Sequence, residues 1–228
     1  MSYHINIVRL KAVSGALGTW KDKVIFVGGA TVSLYASRPL AVSIRPTDDV
    51  DVVVELVSLG EFYELQEHLL KLGFRHDTES NIVSRFLLQG LKVDFMPTDP
   101  AILGFSNRWY PGGVTTAIEH HFSNGAPIRI FTPAYFIASK MEAFKTRGKG
   151  DLYSSHDLED IIFVLDHRDT IEEDILNVDT EVKDYLKYEF AALLRNRSFE
   201  EALLGHVEQS DQMKRKDRIM HLLKNIST

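Results

Sequence analysis

The 228-residue sequence contains no cysteine. That excludes disulfides, thiolate zinc sites and a cysteine nucleophile, and it fits a reducing compartment, so a cytoplasmic location is expected. No apolar run approaches the ~18 residues a membrane-spanning helix needs. The opening residues, Met-Ser-Tyr-His-Ile-Asn, lack the charged-then-apolar pattern of a secretory leader. No membrane partner is therefore expected. Long blocks of single-sign charge, internal repeats and low-complexity segments are also missing, so the chain should be folded throughout. The net charge of −6 disfavours a dedicated duplex-DNA binder while leaving local basic patches open.

What is present is an ordinary apolar content of 44%, enough for a real core. The stretch that organises the chain runs from Gly28 to Asp51. Val24 to Val27 is a continuous apolar run, read as a buried strand, and it ends in Gly28-Gly29, where the backbone can turn tightly. Ala30 to Ala36 reads as a helix whose N-terminus would offer N–H groups to an anion. After a connector over 38–46, Val50 to Glu55 reads as a strand entered through Asp49. Side chains alternate across a strand, so Asp49 and Asp51 share one face while Val50, Val52 and Val54 share the other. Leu91-Lys92-Val93-Asp94-Phe95 repeats the alternation and sets Asp94 opposite Leu91, Val93 and Phe95. Three aspartates on adjacent strands beside a glycine turn suit a divalent metal and a phosphate.

Bare Asp-x-Asp carries little information: with seventeen Asp in the chain, about one such pair is expected by chance. The valine strand around it carries more, because Asp is depleted in strands. The competing reading is a strand end entering a loop. Against it, three clustered carboxylates without a partner would repel one another, and a divalent cation removes that cost.

Elsewhere, 3–21 reads as a short helix. Ser58 to Leu72 reads as an amphipathic helix, with Phe62, Leu65, Leu69 and Leu72 on one face and Gly73 closing it. Ile82–Leu88 and Leu91–Met96 flank Gln89-Gly90 as a two-residue hairpin. Asp99 to Gly113 reads as irregular, and Ile128 to Phe131 as a short strand. Pro133 opens a helix over about Ala134–Lys145, which Arg147-Gly-Lys-Gly150 ends. Ser155 to Leu165 is a further helix. From Asp174 onward nearly everything reads as helical, with Ile219, Leu222, Leu223 and Ile226 on one face. The expectation is an α+β fold: a mixed sheet with flanking helices over 1–131, then a C-terminal helical bundle over 132–228.

The glycine turn, Asp49-Val50-Asp51, and Asp94 on a later strand together resemble the nucleotidyltransferase superfamily with the polymerase-β-type palm. Arg45-x-Thr47-x-Asp49-x-Asp51 resembles, within it, the AbiEii-like toxins of abortive-infection and toxin–antitoxin systems. So does the block Lys140-Met-Glu-Ala-Phe-Lys-Thr-Arg147 followed by His156-Asp157-Leu158-Glu159-Asp160. The likeness covers roughly residues 24–166. It implies a nucleotidyltransferase-type sheet and a Mg²⁺-dependent transfer of an NMP from an NTP. Asp49 and Asp51 would hold two Mg²⁺ ions, and Asp94 would share one and help deprotonate the attacking hydroxyl. Gly28 and Gly29 would admit the phosphates, with Thr47 beside them. Lys140, with Arg147, would meet the triphosphate as a point charge, and Asp157 would support the site from the helical part. An RNA (tRNA) or a protein would be the acceptor, and an antitoxin protein would be a partner. The chain departs from the superfamily in having Gly28-Gly29 where Gly-Ser is frequent, so Thr31 or Ser33 would have to supply the phosphate-binding hydroxyl. The stretch from Gly29 to Asp49 is also longer than in minimal members.

Other candidates have ordinary explanations. Lys145 and Lys149 fit a solvated helix end, and acids such as Asp157 and Asp160 favour a helix start anyway. His120-His121, read on a helix, would diverge by about 100° and lack a third ligand. Lys214-Arg-Lys216 with Arg218 fits a polar helix face, and Trp109-Tyr110 fits packing. Two further function classes use the same carboxylates: a non-catalytic NTP- or partner-binding module, and a metal-dependent phosphohydrolase or nuclease.

Overall fold

The computed structural model describes residues 2–38, 44–56 and 58–228. In chain order the elements begin with α1 (Ser2–Leu17), a 3₁₀ helix (Gly18–Lys23), β1 (Val24–Val27), a second 3₁₀ helix (Gly29–Tyr35), β2 (Asp49–Val54), α2 (Leu59–Lys71) and β3 (Arg75–His76). Next come β4 (Arg85–Leu88), β5 (Leu91–Pro97), α3 (Pro100–Leu103), α4 (Tyr110–Thr115), β6 (Ile118–His120) and β7 (Ile128–Ile130). The remainder is helical: α5 (Pro133–Thr146), α6 (His156–His167), α7 (Ile171–Leu176), α8 (Thr180–Arg195), α9 (Phe199–His206) and α10 (Gln212–Ser227). The connector expected over 38–46 lies in part outside the described residues. No described helix is long and apolar enough to cross a membrane.

Two compact units divide the chain, one of Met1–Leu34 and Ala41–Thr132, the other of Tyr35–Leu40 and Pro133–Thr228. Tyr35 joins the helical unit because its ring packs on Phe136, with centroids 4.5 Å apart.

The first unit is a seven-stranded mixed sheet in the order β3-β4-β5-β2-β1-β7-β6. β2 lies at its centre, antiparallel to β1 and parallel to β5. A strand with neighbours on both sides is covered on both faces here: Val50, Val52, Val53 and Val54 are all buried, as is the whole of β1. Phe74, Phe86 and Phe95 fill one part of this core edge to face. The β4–β5 hairpin turns at Gln89-Gly90 with φ of 51° and 87°, the two positive values a type I′ turn needs, and Leu88 pairs with Leu91. Strand β4 begins only at Arg85. Ile82 and Val83, expected in the strand, are exposed instead.

α2 largely matches its expected face: Phe62, Leu65 and Leu69 are buried, Leu72 is the half-buried residue that caps its end, and Ser58 caps its start through the Glu61 N–H. Three expectations need correction. The segment after Gly28 is a 3₁₀ helix of seven residues, too short and tight to act as an α-helical anion site. The stretch 99–113 is not irregular but holds two short helices, each with a proline in its first turn. His120 is the last residue of the edge strand β6 rather than part of a helix, and His121 follows the strand, lying 3.4 Å from Glu119.

The helical unit packs α5 on α6 and α8, and α10 on α8 and α9. Pro133 stands in the first turn of α5 and Ser155 caps α6 through the Leu158 N–H. Phe136, Ile137, Ile161, Leu186, Phe190, Ile219 and Leu223 are fully buried. On α10 the expected face is largely confirmed, with Ile219, Leu223 and Ile226 inside and Leu222 half-buried.

Candidate functional site

Register alone assembles the first cluster. β2 and β5 run parallel with Asp51 directly beside Asp94 and Asp49 beside Lys92. Alternation then puts Asp49, Asp51 and Asp94 on one face, and one oxygen from each lies within 4.8 Å of the others. Oxygens bound at about 2.1 Å to one Mg²⁺ stand roughly 3–4.2 Å apart, so only a small contraction separates this cluster from a coordination shell. Three hard carboxylate oxygens suit Mg²⁺ or Mn²⁺ and offer nothing to a soft metal. This is the one group of three or more metal-ligating side chains among the described residues.

The cluster is not unpaired, contrary to the repulsion argument made from sequence. β4 runs antiparallel to β5 and sets Arg85 opposite Asp94. Arg85 donates from Nε to Asp94 Oδ1 and from Nη2 to Asp94 Oδ2, both at 2.7 Å, and Nη2 reaches Asp49 Oδ2 at 3.2 Å. The two-pronged geometry is the strong form of this pair. It explains how Asp94 is buried while Asp49 stays half-exposed. The Asp94 hydrogen bonds hold the Arg85 guanidinium firmly protonated against desolvation, with the charges of Asp94, Asp49 and Asp51 adding to the effect. Arg85 thus offsets part of the negative charge of the cluster through Asp94 and Asp49. Arg85 escaped the sequence reading because it looked like an ordinary strand residue; the signal was its count across the hairpin from Asp94, four residues before the turn as Asp94 is four after it.

Gly28 serves the site in a way not anticipated. With φ of +74° it favours glycine, and a Cβ there would stand 1.9 Å from Asp51 Oδ2. The missing side chain makes room for the Asp51 carboxylate itself. Thr31 donates its hydroxyl to the Gly28 carbonyl at 2.9 Å and steadies the turn, while Gly29 is buried. Ser33 is buried and its hydroxyl has no hydrogen-bond partner among the described residues. Thr47 is a structural clamp: its hydroxyl donates to the Asp49 carbonyl at 3.0 Å and its N–H to Asn6 Oδ1 at 3.1 Å, tying α1 to the start of β2.

The remaining expected site residues form a second cluster inside the helical unit. Lys140 Nζ on α5 lies 3.1 Å from Asp157 Oδ1 and 2.6 Å from Asp160 Oδ2 on α6. Arg147 grips Asp157 with two prongs at 2.9 and 2.7 Å. Lys140 is 7% exposed, so its ammonium is held by carboxylates rather than presented as the open point charge expected from sequence. Desolvation pulls its pKa down, but Asp160 and then Asp157 outweigh it and leave the pKa above the ordinary lysine value. Desolvation likewise raises Asp157, and the Arg147 hydrogen bond with the Lys140 charge reverses it, leaving Asp157 below the ordinary carboxylate range. Lys145 turns to Glu189.

On α10, Lys214 is exposed beside Asp211, and the other three basic residues of the stretch are held by acids of neighbouring elements. Arg215 and Arg218 both pair with the buried Asp166, and Lys216 pairs with Glu200 at 2.5 Å. Trp109 is buried beneath Arg108, which fits packing rather than stacking on a base, and the half-buried Tyr110 lies beside Phe131 with ring centroids 6.0 Å apart. Compared with known proteins, the chain matches no protein-family model and no curated protein.

Proposed function

We propose that the chain is a metal-dependent nucleotidyltransferase, moving an NMP from an NTP to an RNA (tRNA) or protein acceptor, with an AbiEii-like toxin role and an antitoxin partner. One observation carries the reading: Asp49, Asp51 and Asp94 converge on paired strands with Gly28 making room for Asp51. The likeness to the nucleotidyltransferase palm supplies the chemistry. Asp49, Asp51 and Asp94 are the residues that would hold Mg²⁺, which when bound supplies Lewis-acid polarisation of the phosphate and charge for the leaving pyrophosphate. The chain's own part is positional. β2 and β5 hold the carboxylates rigidly, Arg85 orients Asp94, and Asp94 takes the proton of the acceptor hydroxyl. The acceptor oxygen then bonds to the α-phosphorus, and the bond from that phosphorus to the bridging oxygen breaks.

The test is incubation with Mg²⁺ and each α-labelled NTP in the presence of total RNA or lysate. Label should move to an acceptor and Asp51→Ala should lower the rate at least about a hundredfold. If no NTP transfers label and Asp51→Ala leaves nucleotide binding unchanged, the reading fails. A second reading, a non-catalytic binding module, draws on Arg85, which already balances part of the acid charge. Calorimetry showing Mg²⁺-NTP binding without turnover would favour it. Release of free phosphate without pyrophosphate would instead mark a phosphohydrolase.

A further inference from the structure

Arg85 occupies the cluster in a manner that bears on cation binding. Its guanidinium engages both oxygens of Asp94 and one of Asp49, two of the three residues that could share a metal. It is not a passing surface contact. The side chain is 14% exposed, its backbone is paired in register with Asp94, and the hairpin turn lies only four residues away. A planar fork in that position does for Asp49 and Asp94 what a cation would do: it brings the two carboxylates together and cancels their repulsion. The two contacts are unequal. The Asp94 pair is two-pronged at 2.7 Å, whereas the Asp49 contact is single, longer and on a more open carboxylate, 35% exposed.

We infer that Arg85 is the resident counter-cation of the cluster, and that a divalent ion binds by taking Asp49 from it while Arg85 keeps Asp94. This inference rests on the metal reading of the same three aspartates. Arg85 thereby does two opposed things. It holds Asp94 in place when no ion is bound, and its positive charge weakens the affinity for an arriving ion, so that the protein keeps a formed site yet binds metal only where metal is abundant. Arg85 is a positioning residue in this scheme, acting through Asp49 and Asp94.

The experiment is titration of the whole protein with Mn²⁺ alone, following free Mn²⁺ by electron paramagnetic resonance, for wild type, Arg85→Gln, Arg85→Lys and Asp51→Asn. Removing a unit positive charge next to the ion should tighten Mn²⁺ binding at least about tenfold in Arg85→Gln. Arg85→Lys keeps the charge and should bind more weakly than Arg85→Gln, while Asp51→Asn should bind least. Mn²⁺ should also raise the melting temperature of Arg85→Gln more than that of wild type, a readout that serves where the metal-free variant folds poorly. If wild type binds Mn²⁺ and Arg85→Gln binds it equally or less well, the inference is overturned and the metal reading stands. Equal tightening in Arg85→Lys and Arg85→Gln also overturns it, since charge is then not the cause. If neither wild type nor either Arg85 variant binds Mn²⁺, the metal reading fails and the inference falls with it.

Discussion

The chain holds two carboxylate–cation clusters that look alike on paper and differ in how they are covered. In the sheet unit, one oxygen each of Asp49, Asp51 and Asp94 lies within 4.8 Å of the others, and Arg85 bridges Asp94 to the more open Asp49. In the helical unit, the buried Lys140 ammonium lies between Asp157 and Asp160, and the exposed Arg147 grips Asp157 from outside. A buried ammonium held by two buried carboxylates joins α5 to α6. Three convergent carboxylates on a partly open surface can still admit a cation. The contrast teaches that a motif of acids and a lysine is not read by residue type alone. What decides between scaffold and site is whether the charged atoms stay accessible.

Breaking the buried network should have the largest effect on stability. Asp157→Asn leaves the buried Lys140 with Asp160 alone as a charged partner and should cost about 1.5–3 kcal/mol in urea unfolding, the range for hydrogen bonds to charged groups. The pH dependence has a definite sign. Asp157 is depressed in the folded protein, so its contribution is fully present above the unfolded carboxylate pKa of about 3.9 and is lost as pH falls through its lower folded value. Lys140 is raised, so its contribution is complete below about 10.4 and is lost as pH rises through the higher folded value. Urea midpoints measured against pH should therefore fall at both ends, and Asp157→Asn should make the acid limb shallower. A flat acid limb in the unaltered protein would contradict the network's role.

Gly28→Ala comes next. It adds a Cβ where Asp51 Oδ2 now sits and forces a positive φ on alanine, at about 1–2 kcal/mol for the backbone alone. The carboxylate must move, so Mn²⁺ binding should weaken together with stability. Stability falling while Mn²⁺ affinity holds would show that Asp51 is not a ligand.

The smallest effect on the metal-free fold sharpens the comparison most, because it separates the response to metal from the packing of the sheet. Asp51→Asn keeps the shape of the side chain and removes one of the three candidate ligands, so it should change metal-free stability less than Asp157→Asn does. Thermal melts in chelator and in Mg²⁺ test this. Mg²⁺ should raise the melting temperature of the unaltered protein and leave that of Asp51→Asn nearly unmoved.

Much of the architecture was legible because local rules and the tertiary answer agree. The all-valine β2, the Gln89-Gly90 turn and the capped α2 each carry their own signal over a few residues. The errors fell where the signal is not local. β6 and β3 are edge strands of three and two residues, too short for a period to show. α3 and α4 are single turns set by prolines inside a stretch that otherwise reads as loop. The site was legible in its acids and opaque in its bases. Arg85 is named by register, and Lys140 is judged by burial, and neither quantity is written in a run of residues.

By itself the sequence determined the ingredients of the site: Asp49 and Asp51 on one face of a valine strand, Asp94 on one face of a hairpin arm, and a glycine before them. Alternation at period two forces that much from covalent geometry. Only the tertiary structure decided which strands are neighbours, hence that Asp51 stands beside Asp94, that Arg85 stands opposite it, and that Gly28 leaves space for the Asp51 carboxylate. It also decided that Lys140 is held between carboxylates and buried while Asp49 and Asp51 stay half-exposed. The physical reason is that strand pairing and desolvation depend on contacts between residues far apart in the chain, and those contacts set which charged groups are buried and which stay accessible.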